Sequence, residues 1–291
     1  MKYTIRAIRA IAVLFAFLVG SGCQEVSGPL RPTEVVQMAA SNTGAVALVA
    51  GAPDKPPHIW LRTEFKQQES RRLWRPLCAL RAPHKDLRVL WASSRPLVLR
   101  EVAGRSDLYD AQEGTQLTRL GDITDATCIK GALVVLRPLG KRTSVGLLAQ
   151  NGKLTHLMAR HDVVTATLGA HELAGLPPTL YWAEGDAIMR MALTPALKPK
   201  LRPVQIAQAE GPIASCPIAA SLRPEHGEQV AWLERHTAEL RAQWRLTSGK
   251  TITGQDQSQA VNGVGAISEN GRWACLWNVR DQTLTRIELK E

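Results

Sequence analysis

Residues 45–51 read AVALVAG, and runs of the same length and character recur along the rest of the chain. Each run is rich in apolar and β-branched residues, which is typical of a buried β-strand. Successive runs begin roughly 45 residues apart, and that period is the length of one four-stranded propeller blade. The sequence therefore predicts an all-β fold, a six-bladed β-propeller of four-stranded antiparallel blades over residues 34–291, with a β-sandwich or two stacked barrels as the alternative. The other runs are residues 96–102 (PLVLREV), 132–138 (ALVVLRP), 179–185 (TLYWAEG), 229–235 (QVAWLER) and 272–278 (RWACLWN).

Further strand patterns flank these runs, one before each and a strand–turn–strand after it. Three hairpins are the clearest: residues 108–120, 145–157 and 242–253. Gly114 and Gly152 stand at the tips of the first two, and Gly249 at the tip of the third, where a positive φ is least costly for glycine. Three hairpins of one pattern favour a repeated sheet.

The turns before two of the runs are similar to each other. Residues 41–44 (Ser-Asn-Thr-Gly) and 268–271 (Ser-Glu-Asn-Gly) resemble the turn of TolB-type β-propeller repeats, which is roughly Ser-Pro-Asp-Gly, although the Pro is absent from both. In those repeats an Ala-centred apolar strand follows, and Ala47, Ala231 and Ala274 occupy that small central position. The resemblance implies the propeller architecture for residues 34–291.

The beginning of the chain has the order of a secretory signal peptide, residues 1–22. Its first nine residues include three basic residues and no acidic one, residues 10–19 (AIAVLFAFLV) are all apolar, and small residues follow up to Cys23. An apolar run this short does not span a bilayer, which needs about 20 residues. The pattern predicts an export signal and not a membrane anchor.

Cys23 directly after small residues resembles the lipobox of bacterial lipoproteins. In that family the Cys is acylated and becomes the new N-terminus, although the position three before it, usually Leu, is Gly20 here. Gln24 is not the Asp that commonly retains such proteins at the inner membrane, so the resemblance implies an outer-membrane lipoprotein facing the periplasm or the cell surface. Residues 23–33 then form the lipidated N-terminus and a flexible tether. An ordinary secretory signal with an unrelated Cys is the alternative.

The composition is that of a globular protein: 45% hydrophobic and 21% charged residues exclude a wholly disordered chain and a polytopic membrane protein. The formal charge is +10, and removal of a leader with Lys2, Arg6 and Arg9 leaves +7. A positive charge favours anionic partners. Nucleic acid is not expected among them, because an exported protein does not meet it.

Four cysteines remain if Cys23 carries a lipid, and three pairings are then possible. The order of the units favours Cys78 with Cys128 and Cys216 with Cys275. The alternative is that all four are buried thiols acting as small apolar residues.

A basic segment, residues 196–203 (ALKPKLRP), alternates Lys198, Lys200 and Arg202 with other residues, two of them Pro. Proline forces an extended loop, so the three charges should project into solvent. They are candidates for contact with lipid headgroups, lipopolysaccharide phosphates or an acidic protein, or they belong to a solvated loop. Arg71, Arg72 and Arg75 form a second basic group upstream.

The motifs of catalysis are absent. Residues 248–251 (SGKT) imitate the end of a phosphate-binding loop, but Trp244 stands where that loop needs glycine. Neither a GxSxG nor an HExxH pattern occurs, so no catalytic residue, metal ligand or cofactor is predicted. Trp182, Trp232 and Trp277 fall on the equivalent strand of three units and could ring a ligand, but packing between blades is the commoner role.

Together these features predict a lipid-anchored β-propeller of the cell envelope that acts as a non-catalytic scaffold for protein binding or assembly. Its partners would be the membrane, through the lipid, and a protein of the envelope. The alternatives are a propeller enzyme acting on a carbohydrate or lactone, or a secreted soluble ligand-binding protein. An enzyme of that kind would bring three or more polar side chains together at one mouth of the central channel.

Overall fold

The computed structural model describes most of the chain beyond residue 33. The predicted signal peptide, Cys23 and the tether lie outside the described residues. Within these residues the chain forms strands and turns, and no helix there is long and apolar enough to span a bilayer. The described residues are 34–51, 58–63, 74–79, 87–92, 94–129, 132–149, 151–171, 178–223, 227–236, 239–246, 251–253, 259–261 and 263–289.

Sheets 1, 2 and 3 are each four-stranded antiparallel meanders, in which every strand pairs with the next one along the chain. Sheet 1 contains β1 (Val35–Ala40), β2 (Val46–Ala50), β3 (His58–Arg62) and β4 (Arg75–Ala79). Sheet 2 contains β5 (Leu87–Ala92), β6 (Arg95–Val102), β7 (Arg105–Asp110) and β8 (Gln116–Gly121). Sheet 3 contains β9 (Asp125–Ile129), β10 (Ala132–Leu139), β11 (Arg142–Leu148) and β12 (Leu154–Arg160).

Sheets 4, 5 and 6 follow the same plan with two departures. Sheet 4 contains β13 (Val163–Leu168), β15 (Thr179–Glu184), β16 (Ala187–Ala192) and β17 (Val204–Gln208), while β14 (Ala170–His171) joins sheet 5. Sheet 5 otherwise contains β18 (Ile213–Arg223), β19 (Gly227–His236), β20 (Glu239–Leu246), β21 (Thr251–Thr253) and β22 (Gln259–Val261). Sheet 6 contains β23 (Val264–Ile267), β24 (Trp273–Asn278) and β25 (Thr283–Glu288).

The six apolar runs of the sequence are the second strands of the six sheets, so the predicted repeat is confirmed. The prediction of four strands per sheet is confirmed for sheets 1 to 4. Sheet 5 has six strands, because β20 is long enough to pair with β21 along one half and with β22 along the other, and because β14 pairs parallel to β18. Sheet 6 has three strands among the described residues.

The first strands of successive sheets contact one another. They follow the order β1, β5, β9, β13, β18 and β23, and β23 in turn contacts β1. The described residues form six buried apolar clusters between successive sheets. Val134 and Trp182 share the one between sheets 3 and 4, and Trp60 and Trp277 share the one between sheets 6 and 1. Burial of one Leu-sized side chain in such a cluster is worth about 1.5–3 kcal/mol, so the contacts between sheets hold the fold together.

Polar side chains also join neighbouring sheets. Each reaches from a strand of one sheet to the backbone of the next, which satisfies a polar group inside the apolar interface. Gln37 Oε1 accepts from the Val89 N–H at 2.8 Å, the Thr127 hydroxyl donates to the Ala166 carbonyl at 2.7 Å, and Gln229 Nε2 donates to the Leu289 carbonyl at 3.4 Å.

In both TolB-like turns a serine hydroxyl caps the start of the following strand, four positions on in the first turn and five positions on in the second. The buried Ser41 Oγ accepts from the Ala45 N–H at 2.8 Å, and the buried Ser268 Oγ accepts from the Trp273 N–H at 2.9 Å. The fourth residue of each turn, Gly44 and Gly271, has φ of 82° and 65°. Both positions therefore favour glycine, as the turn pattern predicts.

The same two turns contact each other and so join sheet 6 to sheet 1. The Asn270 N–H donates to Asn42 Oδ1 at 2.9 Å, across 228 positions of sequence. A Cβ on Gly44 would lie 2.9 Å from an Arg286 nitrogen, and the Arg286 guanidinium stacks 4.3 Å from the Trp273 ring centre. The first and last sheets are thus in direct contact at their turns.

Candidate functional site

The sheets have two ends that carry different loops. In an antiparallel meander the connections from the first to the second strand and from the third to the fourth emerge at one end, which we call end A. Turns 41–45 and 111–115 and loop 193–203 belong to end A. Hairpins 103–104 and 140–141 connect second to third strands and belong to the opposite end, end B.

Loop 193–203 carries the three predicted basic residues, and its backbone is ordered around Thr194. The Thr194 carbonyl accepts from the Leu197 N–H at 2.8 Å, and its hydroxyl oxygen accepts from the Lys198 N–H at 3.1 Å. Lys198, Lys200 and Arg202 are all exposed, as predicted from the alternation with Pro. Their contact with an anionic partner stays a prediction.

Apolar side chains lie beside these charges. Leu201 is 63% exposed and Val204, the first residue of β17, is 54% exposed. The loop therefore offers an apolar and cationic surface on a backbone already held by hydrogen bonds, and this lowers the entropy lost when a partner binds. Arg75 is exposed too, whereas Arg71 and Arg72 lie outside the described residues.

The structure describes one side chain from each of the two predicted cysteine pairs. Cys128 and Cys275 are free, buried thiols, which is the arrangement of the buried-thiol alternative. Burial raises the pKa of both, to about 12 for Cys275, where the Arg286 charge opposes the rise. The pairing itself stays a prediction, because the side chains of Cys78 and Cys216 lie outside the described residues.

A small cavity of about 60 Å³ lies where the first strands meet, at the axis of the sheets. Its walls are mostly apolar and small, and its polar members are Thr127, Thr167 and Glu269. The described residues therefore bring one carboxylate and two hydroxyls to this axial cavity. The negative charge of Glu269 adds to burial in raising the pKa of Cys128.

A larger cleft of about 440 Å³ lies between sheets 2 and 3 at end A. Leu97, Leu108 and Leu133 form its walls, and Arg95 lies at its rim. The volume falls in the usual range of small-molecule sites, about 300–1,000 Å³. Arg95, however, pairs with the buried Asp110 carboxylate at 2.7 Å, so the pair gives the cleft no net charge.

Two carboxylates and an imidazole meet at end B, between sheets 4 and 5. Glu210 comes from the connection between β17 and β18, and Glu234 and His236 end β19; their ligand atoms all lie within 4.8 Å of one another. Glu234 is 1% exposed, and its Oε1 lies 2.7 Å from His236 Nε2. Glu234 Oε2 accepts from the Trp232 indole N–H and from the Glu210 backbone N–H, each at 3.2 Å. We call these three residues the Glu210–Glu234–His236 cluster.

Sequence reasoning missed this cluster. No HExxH-like spacing marks it, because Glu210 lies 24 positions before Glu234 and only the step from sheet 4 to sheet 5 brings them together. A partial signal exists in the repeats, since Trp182-Ala-Glu184 and Trp232-Leu-Glu234 share the spacing of Trp and Glu. In both, the indole N–H donates to the Glu Oε2, at 3.1 and 3.2 Å.

The predicted aromatic residues are core residues. Trp182, Trp232 and Trp277 all lie on second strands and are all buried between sheets. Trp277 contacts Trp74 edge to face, with ring centres 5.9 Å apart. Packing between sheets, and not a ring of aromatic ligands, is therefore their arrangement in the structure.

Glu228 is a second buried carboxylate between sheets 4 and 5. It pairs with the Arg190 guanidinium of β16. Burial nevertheless raises the pKa of Glu228 to about 7 from its ordinary 4.5. This carboxyl therefore titrates within the physiological range of pH.

Comparison with known proteins gives likeness of fold. No family model matches the sequence, and no curated protein matches it significantly. Among solved structures the chain is similar to TolB from Acinetobacter baumannii, with 11% identity and a TM-score of 0.53 over 87% of this chain and 66% of that one. It spans less than two thirds of the TolB chain.

Two further structures are similar to the chain at comparable levels. One is an auxiliary nutrient-binding protein from Bacteroides thetaiotaomicron, with 9% identity, a TM-score of 0.53, and coverage of 88% of this chain and 69% of that one. The other is AofleA from Arthrobotrys oligospora, with 10% identity, a TM-score of 0.50, and coverage of 91% and 89%. At these identities the likeness shows the fold alone. The chain has a TolB-like β-propeller fold.

Proposed function

We propose that the protein is a lipid-anchored, six-bladed β-propeller of the cell envelope that acts as a scaffold for binding or assembling another protein. The observation that carries the proposal is the surface of loop 193–203. There Lys198, Lys200 and Arg202 are exposed next to Leu201 and Val204. An exposed apolar group inside a charged rim is the usual composition of a protein-binding surface.

Six blades are proposed because six sheets are present and each shares a buried apolar cluster with the next. The cluster of Trp60 and Trp277 joins the last sheet to the first. The first strands contact one another in the same cyclic order. A closed ring explains both observations, since it leaves no inner strand with an exposed face.

The envelope location and the lipid anchor rest on residues 1–23. A basic start, an apolar run and small residues before Cys23 form an export signal that resembles a lipobox. One of the structures similar to this chain is an auxiliary nutrient-binding protein, which agrees with a binding role. Acyl chains contribute about 0.8 kcal/mol per buried CH₂, so several chains on one residue would hold the protein at a membrane.

The binding surface is tested by replacing Lys198, Lys200 and Arg202 with Ser. We expect capture of the partner from native membranes to fall several-fold at low salt, and the difference to shrink at high salt, because exposed charges are screened there. The matched control is Arg105, Lys141 and Arg280 replaced by Ser, three exposed basic residues at end B. Equal capture by the two triple variants at every salt concentration would contradict the proposal.

The anchor is tested separately by Cys23→Ser. Acylation at Cys23 predicts that this variant moves from the membrane fraction to the soluble fraction. A variant that stays in membranes after a high-salt wash would refute the anchor and leave the binding surface untouched.

A further inference from the structure

The geometry of the Glu210–Glu234–His236 cluster points to a binding site for a divalent transition metal, and we propose Zn²⁺ as its ligand. The cluster offers one imidazole nitrogen and two carboxylate oxygens within 4.8 Å. Three protein donors of these types plus water form the usual open, four-coordinate zinc site. The imidazole favours zinc and similar metals over calcium and magnesium, which prefer all-oxygen sites.

The buried carboxylate is already oriented as a metal ligand would be. Glu234 Oε2 is held by the Trp232 indole N–H and the Glu210 backbone N–H, and Oε1 faces His236 Nε2 at 2.7 Å. Ligating carboxylates typically have such outer hydrogen bonds, which fix their direction. Oε1, the oxygen that faces His236 Nε2, is therefore the proposed ligand atom.

Small movements would admit the metal. With metal–ligand distances of about 2.0–2.2 Å, two donors of a tetrahedral site lie about 3.3 Å apart. The Glu234–His236 contact would then widen by about 0.6 Å, with a metal replacing the proton between them. Glu210 is exposed, so its side chain can turn inward without disturbing packing.

The fold holds the three residues together. A Cβ on Gly211 would lie 2.4 Å from the Arg235 carbonyl oxygen, so the connection that carries Glu210 packs tightly on the end of β19. The Arg235 N–H also donates to the Pro212 carbonyl at 2.9 Å. Two carboxylates are therefore kept near each other in a half-buried place, where a bound cation offsets their repulsion.

Sheet 4 supplies an internal comparison. Glu184 has the same indole bond from Trp182, but the residue two positions later is Asp186, where sheet 5 has His236. The indole–carboxylate bond is thus common to both sheets, and the imidazole is particular to sheet 5. Glu184→Gln is the matched control for a carboxylate bonded to Trp.

The test is calorimetric titration of the untagged full-length protein with ZnCl₂. We expect one equivalent to bind, binding to become about tenfold weaker or more in Glu210→Gln, and binding at this site to disappear in His236→Gln. Glu184→Gln and His156→Gln should bind as the unchanged protein does, and excess Mg²⁺ or Ca²⁺ should not compete.

Glu210→Gln is the decisive variant because its side chain is exposed and its loss does not endanger folding. Circular dichroism and the melting temperature without metal establish that each variant is folded. If the unchanged protein binds no Zn²⁺, if Glu210→Gln binds it as tightly as the unchanged protein, or if His236→Gln and His156→Gln bind equally, the proposal is wrong. Glu234 and His236 are then only hydrogen-bonded to each other.

Discussion

Leu289→Ala tests how firmly the last sheet is held against its neighbour. Leu289 follows β25, yet its side chain is fully buried with Leu233 and Leu240 of sheet 5 and Leu276 of sheet 6. Its N–H donates to the Arg272 carbonyl at 2.8 Å, which fixes the end of the strand. Truncation of a buried Leu to Ala costs about 2–5 kcal/mol, and this cluster is completely buried, so we expect a loss of about 3 kcal/mol.

The assay is equilibrium unfolding in urea, with a calorimetric scan beside it. For a domain of this size, about 3 kcal/mol lowers Tm by about 6–12 °C. Leu139→Ala is the control: Leu139 ends β10 and is 55% exposed, so its change should stay below about 0.5 kcal/mol. A loss below about 1 kcal/mol for Leu289→Ala would show that Leu289 does not hold sheet 6 against sheet 5.

Three further outcomes are expected. Burial raises the pKa of Glu228 to about 7, so the folded protein keeps a proton that the unfolded chain loses above pH 4.5. The stability gained from that proton is fully present below pH 4.5 and is lost as the pH rises through 7. Between pH 5 and 8 the Tm of the unchanged protein should therefore fall more than the Tm of Glu228→Gln. Parallel curves of Tm against pH for the two proteins would contradict this. Cys128 and Cys275 should resist iodoacetamide in the folded protein at pH 8 and react after unfolding, as peptide masses will show; rapid labelling of the folded protein would oppose their burial. Thr127→Val removes the hydroxyl that bonds Ala166 between sheets 3 and 4, which should cost about 1–2 kcal/mol in urea unfolding; an unchanged midpoint would mean that water replaces it.

The repeat was readable from the sequence because the second strand of each sheet is buried on both faces. Such a strand has a continuous apolar run, as in Val46–Ala50, where every residue is buried. The outer strands have no such signature: β17 is mostly exposed. This is why the sequence predicted the repeat and the position of one strand in each unit, but gave less information about the edges of sheets 5 and 6.

Small residues occur at two different places in this fold. Ala47, Ala231 and Ala274, the small central residues of the TolB-like pattern, are buried on second strands, between sheets. Other small residues line the axial cavity, among them Ala39 and Ala126 on first strands. Small side chains are needed at both places, so their occurrence in the sequence does not distinguish them.

The candidate sites differ in the same way. The basic loop could be proposed from the sequence because Lys198, Lys200 and Arg202 alternate within one short segment whose Pro residues favour an extended backbone. The Glu210–Glu234–His236 cluster could not be found, because its members belong to two sheets and only the three-dimensional fold joins them. Sites formed within one loop are visible in a sequence, and sites formed between sheets require the structure.

The two proposed sites should act independently, because they lie at opposite ends of β17. Loop 193–203 precedes this strand at end A, and Glu210 follows it at end B. Five residues of strand separate the ends by about 17 Å, about twice the screening length of about 8 Å at physiological salt. The Ser variant of Lys198, Lys200 and Arg202 should therefore bind Zn²⁺ with unchanged affinity at 0.15 M salt, and His236→Gln should capture the protein partner as well as the unchanged chain does. If the triple variant alters Zn²⁺ affinity several-fold under that condition, the charges act over a longer range or β17 transmits the change, and the two ends form one site.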